Sequence, residues 1–191
     1  MKRYVRANKY QDAADSNLQK IKRLADALVK ISDANNEVEL ARATQDLGSW
    51  SQGRDKGKTL EGVIDMLEYF IGQYKEDLEK VDRLPYVKEE LLNFCREQGY
   101  DPVEISLPTG MARQFVQGDE VYRLSEDAEF GEHHKLCQAI KDMFNVKFDS
   151  GLGGSWTAHS ASFEGVPFTV GFQRDYELDP TGKTSSLQIY F

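Results

Sequence analysis

Apolar residues recur at steps of three and four up to about Asn145, and alternate with polar residues after it. The first spacing is the period of a helix and the second that of a strand. The chain therefore reads as helices first and an antiparallel sheet last. A first helix is predicted over residues 11–32, with Ala14, Leu18, Ile21, Leu24, Ala25, Leu28 and Ile31 as its stripe. Asn36 is suited to cap a shorter helix over 37–47, which opens with Glu37 and Glu39. Thr59 is placed to cap a third helix reaching Val81, striped by Leu60, Val63, Ile64, Leu67, Phe70, Ile71, Tyr74 and Leu78. Residues 82–84 interrupt it. Pro85 then opens a further helix, since a missing N–H costs nothing in the first turn, and Gly99 ends it.

Residues 100–125 are less regular. Val103 to Leu107 alternates and predicts a short strand, and 111–116 and 120–124 suit short strands or helical turns. A helix over 126–144 carries Phe130, Leu136, Cys137, Ile140, Met143 and Phe144. Strands are predicted over 146–149, 155–163, 166–173 and 185–191. Glu164-Gly165 is a two-residue hairpin signal joining the second to the third. In the strand over 155–163, Trp156, Ala158, Ser160 and Ser162 share one face, and Thr157, His159, Ala161 and Phe163 share the other. The fold class expected is α+β: an N-terminal helical part, then a helix packed on a small antiparallel sheet. The division expected is a helical domain over 1–100 and an α+β domain over 101–191.

Charge changes this picture from a plain fold to a polarised one. The chain has 191 residues and a net charge of −8. Residues 1–30 hold eight Lys or Arg against three acids, whereas residues 61–100 hold five against ten. Residues 101–191 hold seven against fourteen. A basic head on an acidic body suits phosphates at one end and basic protein surfaces at the other. No apolar run approaches the ~20 residues that span a bilayer, so no membrane partner is expected. The charged start lacks an apolar stretch behind it, which argues against a signal peptide and for the cytoplasm. Two cysteines, Cys95 and Cys137, give no disulfide framework and read as core residues.

Catalytic and cofactor motifs fail on inspection. Gly53 to Thr59 imitates a P-loop but has three residues, not four, before Gly-Lys-Thr, and follows a helix instead of a strand. Gly-x-Ser-x-Gly is absent, and Gly153-Gly154-Ser155 precedes a strand. No catalytic residue, cofactor or metal is expected. His134 and Cys137 do stand at i, i+3 on one helical face. With His133 and His159 they are the material for a small metal-dependent hydrolase, but a closed zinc site needs four ligands.

Two surfaces are candidates for binding. The loop residues Trp50, Arg54, Lys56 and Lys58, with Lys2, Arg3 and Arg6, suit nucleic acid. Two acid clusters suit a basic protein cleft, because spaced carboxylates on helices imitate a phosphate ladder. One holds Glu76, Asp77, Glu79, Asp82, Glu89 and Glu90. The other holds Asp119, Glu120, Glu126, Asp127, Glu129 and Glu132, with the last four named as the partner-binding set.

The opening Met1-Lys2-Arg3-Tyr4-Val5-Arg6-Ala7 resembles the start of small accessory proteins encoded by phages and mobile elements of gut Firmicutes. The resemblance implies an inhibitor of host defence in the host cytoplasm, anti-CRISPR-like, whose partner is a host protein such as a CRISPR nuclease. It carries over no binding residues. The alternatives are a nucleic-acid-binding accessory protein and the metal-dependent hydrolase.

Overall fold

The computed structural model describes residues 9–45, 47, 55–105, 120–126, 128–149, 156–174 and 185–191. Two compact units emerge, Met1–Val81 and Asp82–Phe191. The boundary between them falls inside a helix.

The first unit is helical. It contains α1 (Lys9–Asp33), α2 (Glu37–Ala43) and the N-terminal part of α3 (Lys56–Glu97). Its core joins Leu24, Ala27 and Ile31 of α1 to Ala34, Leu40 and Val63. The α1 stripe is displaced from the predicted one: Ala25 is exposed, and Ala27 and Asn17 are buried instead. Asn17 tolerates burial because its amide donates to the Asp77 carboxylate at 2.9 Å. Asn36 caps α2 as expected, accepting from the Glu39 N–H at 3.0 Å.

Helix α3 departs from expectation at its start and in its middle. Asp55, not Thr59, is the cap: its carboxylate accepts from the N–H groups of Gly57 at 2.9 Å and Lys58 at 3.3 Å. Thr59 lies in the first turn and donates its hydroxyl to the Asp55 carbonyl at 2.8 Å. At Pro85 the helix continues without interruption, for 42 residues in all. Proline cannot donate to the carbonyl four residues back, which belongs to Val81. Burial of Leu84, Val87, Leu91, Leu92 and Cys95 keeps the helical period running through the break. Gly99 ends α3 at φ 89° in a Schellman pattern, with Gly99 N–H donating to Arg96 and Tyr100 N–H to Cys95.

The second unit holds the rest of α3, helix α4 (Phe130–Phe144) and a five-stranded antiparallel sheet. The strands are β1 (Val103–Ile105), β2 (Val121–Ser125), β3 (Trp156–Phe163), β4 (Val166–Arg174) and β5 (Ser185–Tyr190). Their order is β1-β2-β5-β4-β3, so the last strand in sequence is the central one. One face carries Val166, Phe168, Val170 and Phe172 of β4, with His159, Ala161 and Phe163 of β3 opposite them. Leu187 and Ile189 of β5 extend that face. Helix α4 and the C-terminal part of α3 pack on it. Phe144 lies 4.8 Å and Tyr86 6.4 Å from Phe163, ring centre to ring centre, and Phe94 lies 5.3 Å from Phe144. On the opposite face Thr169, Ser186, Gln188 and Tyr190 are buried while Ser162 is exposed; Ser160 shares a hydrogen bond with Thr169 at 2.9 Å, and Gln188 bonds Ser186 and Tyr190.

The predicted strand over 146–149 is not one. Asn145 ends α4 in the left-handed region at φ 50°, and the following residues run beside β3 with the Asp149 N–H donating to Ser160 at 2.8 Å. Val146 is buried and Phe148 sits edge-on to Phe168, which accounts for the apolar alternation without a ladder. The predicted strand or turn over 111–116 lies outside the described residues.

The hairpin forms as the sequence predicts. β3 and β4 pair from Trp156↔Gln173 to Phe163↔Val166, and the turn residues Glu164 and Gly165 have φ 51° and 79°. Positive φ at both centres is the type I′ signature. Gly165→Val should therefore destabilise the second unit by about 1–2 kcal/mol, because a side chain in this region meets its own backbone. Chemical unfolding checks this. An unchanged midpoint would remove the turn from the account of the fold.

Candidate functional site

Exposed acidic side chains recur along α3 among the described residues. In the first unit, Glu61, Asp65, Glu68, Glu76 and Glu79 are exposed, and their spacing puts them on one side of the helix. Ile64 and Tyr69 flank that side and are 42% and 61% exposed, unusual for large apolar groups. Lys58 and Lys75 are exposed cations along it, and the partly exposed Lys80 lies 4.0 Å from Glu76, so five acids face three cations. Asp77 faces the other way, bonded to Asn17. In the second unit, Asp82, Glu89, Glu90 and Glu97 are likewise exposed.

The second acid cluster is more committed to local structure. Glu126 is exposed but lies 2.6 Å from Arg123. The Glu132 carboxylate accepts from the Glu129 N–H at 3.2 Å, one half of a capping box at the start of α4. Asp127 lies outside the described residues. Glu120, expected in the same cluster, is paired with Lys88 at 2.7 Å.

The basic candidates are less coherent. Lys2, Arg3, Arg6, Trp50 and Arg54 lie outside the described residues. The Lys56 ammonium donates at 2.7 Å to the carbonyls of both Ser32 and Ala34, so it clamps the end of α1. Lys58 is exposed.

The histidines converge from distant parts of the chain. Helix α4 presents His133 and His134, and β3 presents His159. The His133 and His159 rings stack with centres 4.8 Å apart, and His134 lies 5.3 Å and 5.8 Å from them. One ring nitrogen from each of the three lies within 4.8 Å of the others. His133 is fully buried and its Nε2 donates to the Val170 carbonyl at 3.1 Å. Burial lowers its pKa to about 4, so it is a neutral imidazole at pH 7. His159 Nδ1 donates to the Asp149 carbonyl at 3.1 Å.

No protein-family model, curated protein or solved structure matches this chain.

Of the four sequence candidates His133, His134, Cys137 and His159, the structure brings the three histidines together and leaves Cys137 out of the group. Cys137 Sγ lies 3.8 Å from His133 Nε2, the nitrogen already used by Val170. Burial pushes the thiols of Cys137 and Cys95 up to about 12, so neither is a thiolate nucleophile at neutral pH. A sequence signal for His133 did exist: it stands three and four residues before Leu136 and Cys137, on the apolar stripe that continues to Ile140. Among the described residues no helix is long and apolar enough to cross a membrane.

Proposed function

We propose that this chain is a non-enzymatic binding protein that occupies a basic, nucleic-acid-binding cleft on a host protein, as an inhibitor encoded by a phage or mobile element would. The observation that supports this is the acidic side of α3 in the first unit. At 1.5 Å rise per residue, Glu61 to Glu79 covers about 27 Å. Duplex DNA carries one charge per ~1.7 Å, so this ladder is sparser and suits a groove that grips only a few phosphates. Exposed Ile64 and Tyr69 supply what a phosphate ladder lacks, apolar area that water leaves on docking. A CRISPR nuclease fits as the target class, because such enzymes hold nucleic acid in a positively charged channel. The inhibitory role and the phage origin come from the resemblance of the opening residues.

The division of labour between charge and apolar contact is testable by kinetics. Reversing Glu61, Asp65, Glu68 and Glu76 to Lys should slow association with a CRISPR nuclease by about tenfold at low salt, since exposed charges mainly steer encounter. The effect should shrink at high salt. Tyr69→Ala should instead speed dissociation. The same comparison for Glu126→Lys weighs the α4 cluster without disturbing its capping box. Nuclease cleavage unaffected by the wild-type chain across a panel of effectors would reject the inhibitor reading. Direct, salt-sensitive DNA binding by the chain would favour the nucleic-acid alternative through its basic head.

A further inference from the structure

We propose that His133, His134 and His159 form a binding site for a divalent transition-metal ion of the zinc class, held by three imidazole nitrogens with the remaining position left to water. The site lies within the second unit and is independent of the acidic side of α3 in the first. Three observations carry it.

The first is proximity. One nitrogen from each ring already lies within 4.8 Å of the others. Zinc–nitrogen bonds of ~2.0–2.1 Å in a tetrahedral site put ligand nitrogens about 3.3 Å apart. Moving from 4.8 Å to that spacing takes a shift of about 1.5 Å, and His134 contributes an exposed side chain to it.

The second is tautomer. A carbonyl oxygen only accepts, so the bond to Val170 fixes the proton of His133 on Nε2. The bond to Asp149 likewise fixes the proton of His159 on Nδ1. Each remaining nitrogen is thus a lone pair. A backbone carbonyl that holds the other ring N–H is the usual support of a metal-ligating histidine.

The third is an unmet requirement. His133 Nδ1 and His159 Nε2 are both buried and have no hydrogen-bond partner. His133 is entirely enclosed. A buried acceptor without a donor costs on the order of 1–3 kcal/mol. Two such lone pairs on adjacent rings are satisfied together by a cation. Three neutral imidazoles suit zinc, copper or nickel more than magnesium or calcium, which take oxygen ligands.

Cys137 is excluded from the ligand set by its position against His133 Nε2, and this gives the experiment a spectroscopic discriminator. The tag-free full chain is stripped with a chelator and titrated with Zn2+ and Co2+. Stoichiometric uptake, a raised Tm and a tetracoordinate Co2+ spectrum lacking thiolate charge transfer are expected. His134→Ala changes an exposed side chain and leaves the fold in place; with His159→Gln it should weaken binding at least tenfold. Cys137→Ser should leave affinity within about twofold. The proposal is overturned by substoichiometric uptake, by affinity unchanged in both histidine variants, or by a thiolate charge-transfer band. Nuclease inhibition is a separate readout, so its failure leaves the metal result standing.

Discussion

Phe168→Ala should unfold the second unit at temperatures the wild type withstands, at a cost of about 3–5 kcal/mol. Phe168 is 1% exposed at the middle of β4, which itself lies between β3 and β5. Its ring meets Phe148 edge-on, with centres 5.7 Å apart, and Ala161 lies opposite on β3. Truncation removes the largest apolar group at that point and leaves a cavity that the paired strands are too constrained to close. Domains of this size are stable by only about 5–15 kcal/mol, so the loss is a large share of the whole. Urea unfolding followed by near-UV circular dichroism reads it directly. Phe168→Leu is the companion variant, expected to recover most of the stability because it refills most of the volume. A loss below about 1 kcal/mol in the alanine variant would mean that the sheet face is not packed as described.

Pro85→Ala should act in the opposite direction and stabilise the chain by about 2 kcal/mol. Alanine restores an N–H opposite the Val81 carbonyl and removes the clash of the proline ring, together worth about 3 kcal/mol in a helix interior. The more flexible unfolded chain offsets roughly 0.4–1 kcal/mol of this. Pro85 is exposed, so no core packing is lost. The measurement is the shift in unfolding midpoint. A destabilised or unchanged variant would show that α3 is already adapted to the break.

Pro85 also marks where local rules lose to packing. Read alone, Asp82-Arg83-Leu84-Pro85 is a reasonable helix start, and the sequence divides the helix there. Yet Leu84, Val87 and Leu91 keep a steady three- and four-residue spacing across it, and all three are buried. Burial of that stripe outweighs one missing hydrogen bond. Glu164-Gly165 and Gly99 were legible because positive φ leaves a mark that sequence alone can show. Residues 146–149 misled for the reverse reason: alternation reports which side chains are buried, and says nothing of whether a neighbouring strand is there to pair with.

The histidine cluster was half legible. Helical spacing placed His134 beside Cys137, but only the sheet register sets His159 opposite Val170, under the carbonyl that holds His133. Such long-range pairing has no local signature. In sequence, Glu76, Asp77, Glu79, Asp82, Glu89 and Glu90 form one acid cluster; Glu61, Asp65 and Glu68 stand earlier on the same helix, α3, and only helical spacing shows that they share a side with Glu76 and Glu79.

The sheet order sets a schedule on how the second unit assembles. β5 lies between β2 and β4, so it joins the two halves of the sheet. The β3–β4 hairpin closes through a two-residue turn and can form on the microsecond scale. β1 and β2 are made earlier but have no link to that hairpin until β5 arrives. On a translating ribosome, β2 waits with one unpaired edge while the chain between Ser125 and Ser185 is synthesised. Such edges recruit other chains. At ~5–20 residues per second the wait lasts seconds, long enough that slowing translation before β5 should raise the fraction of nascent chains lost to aggregation.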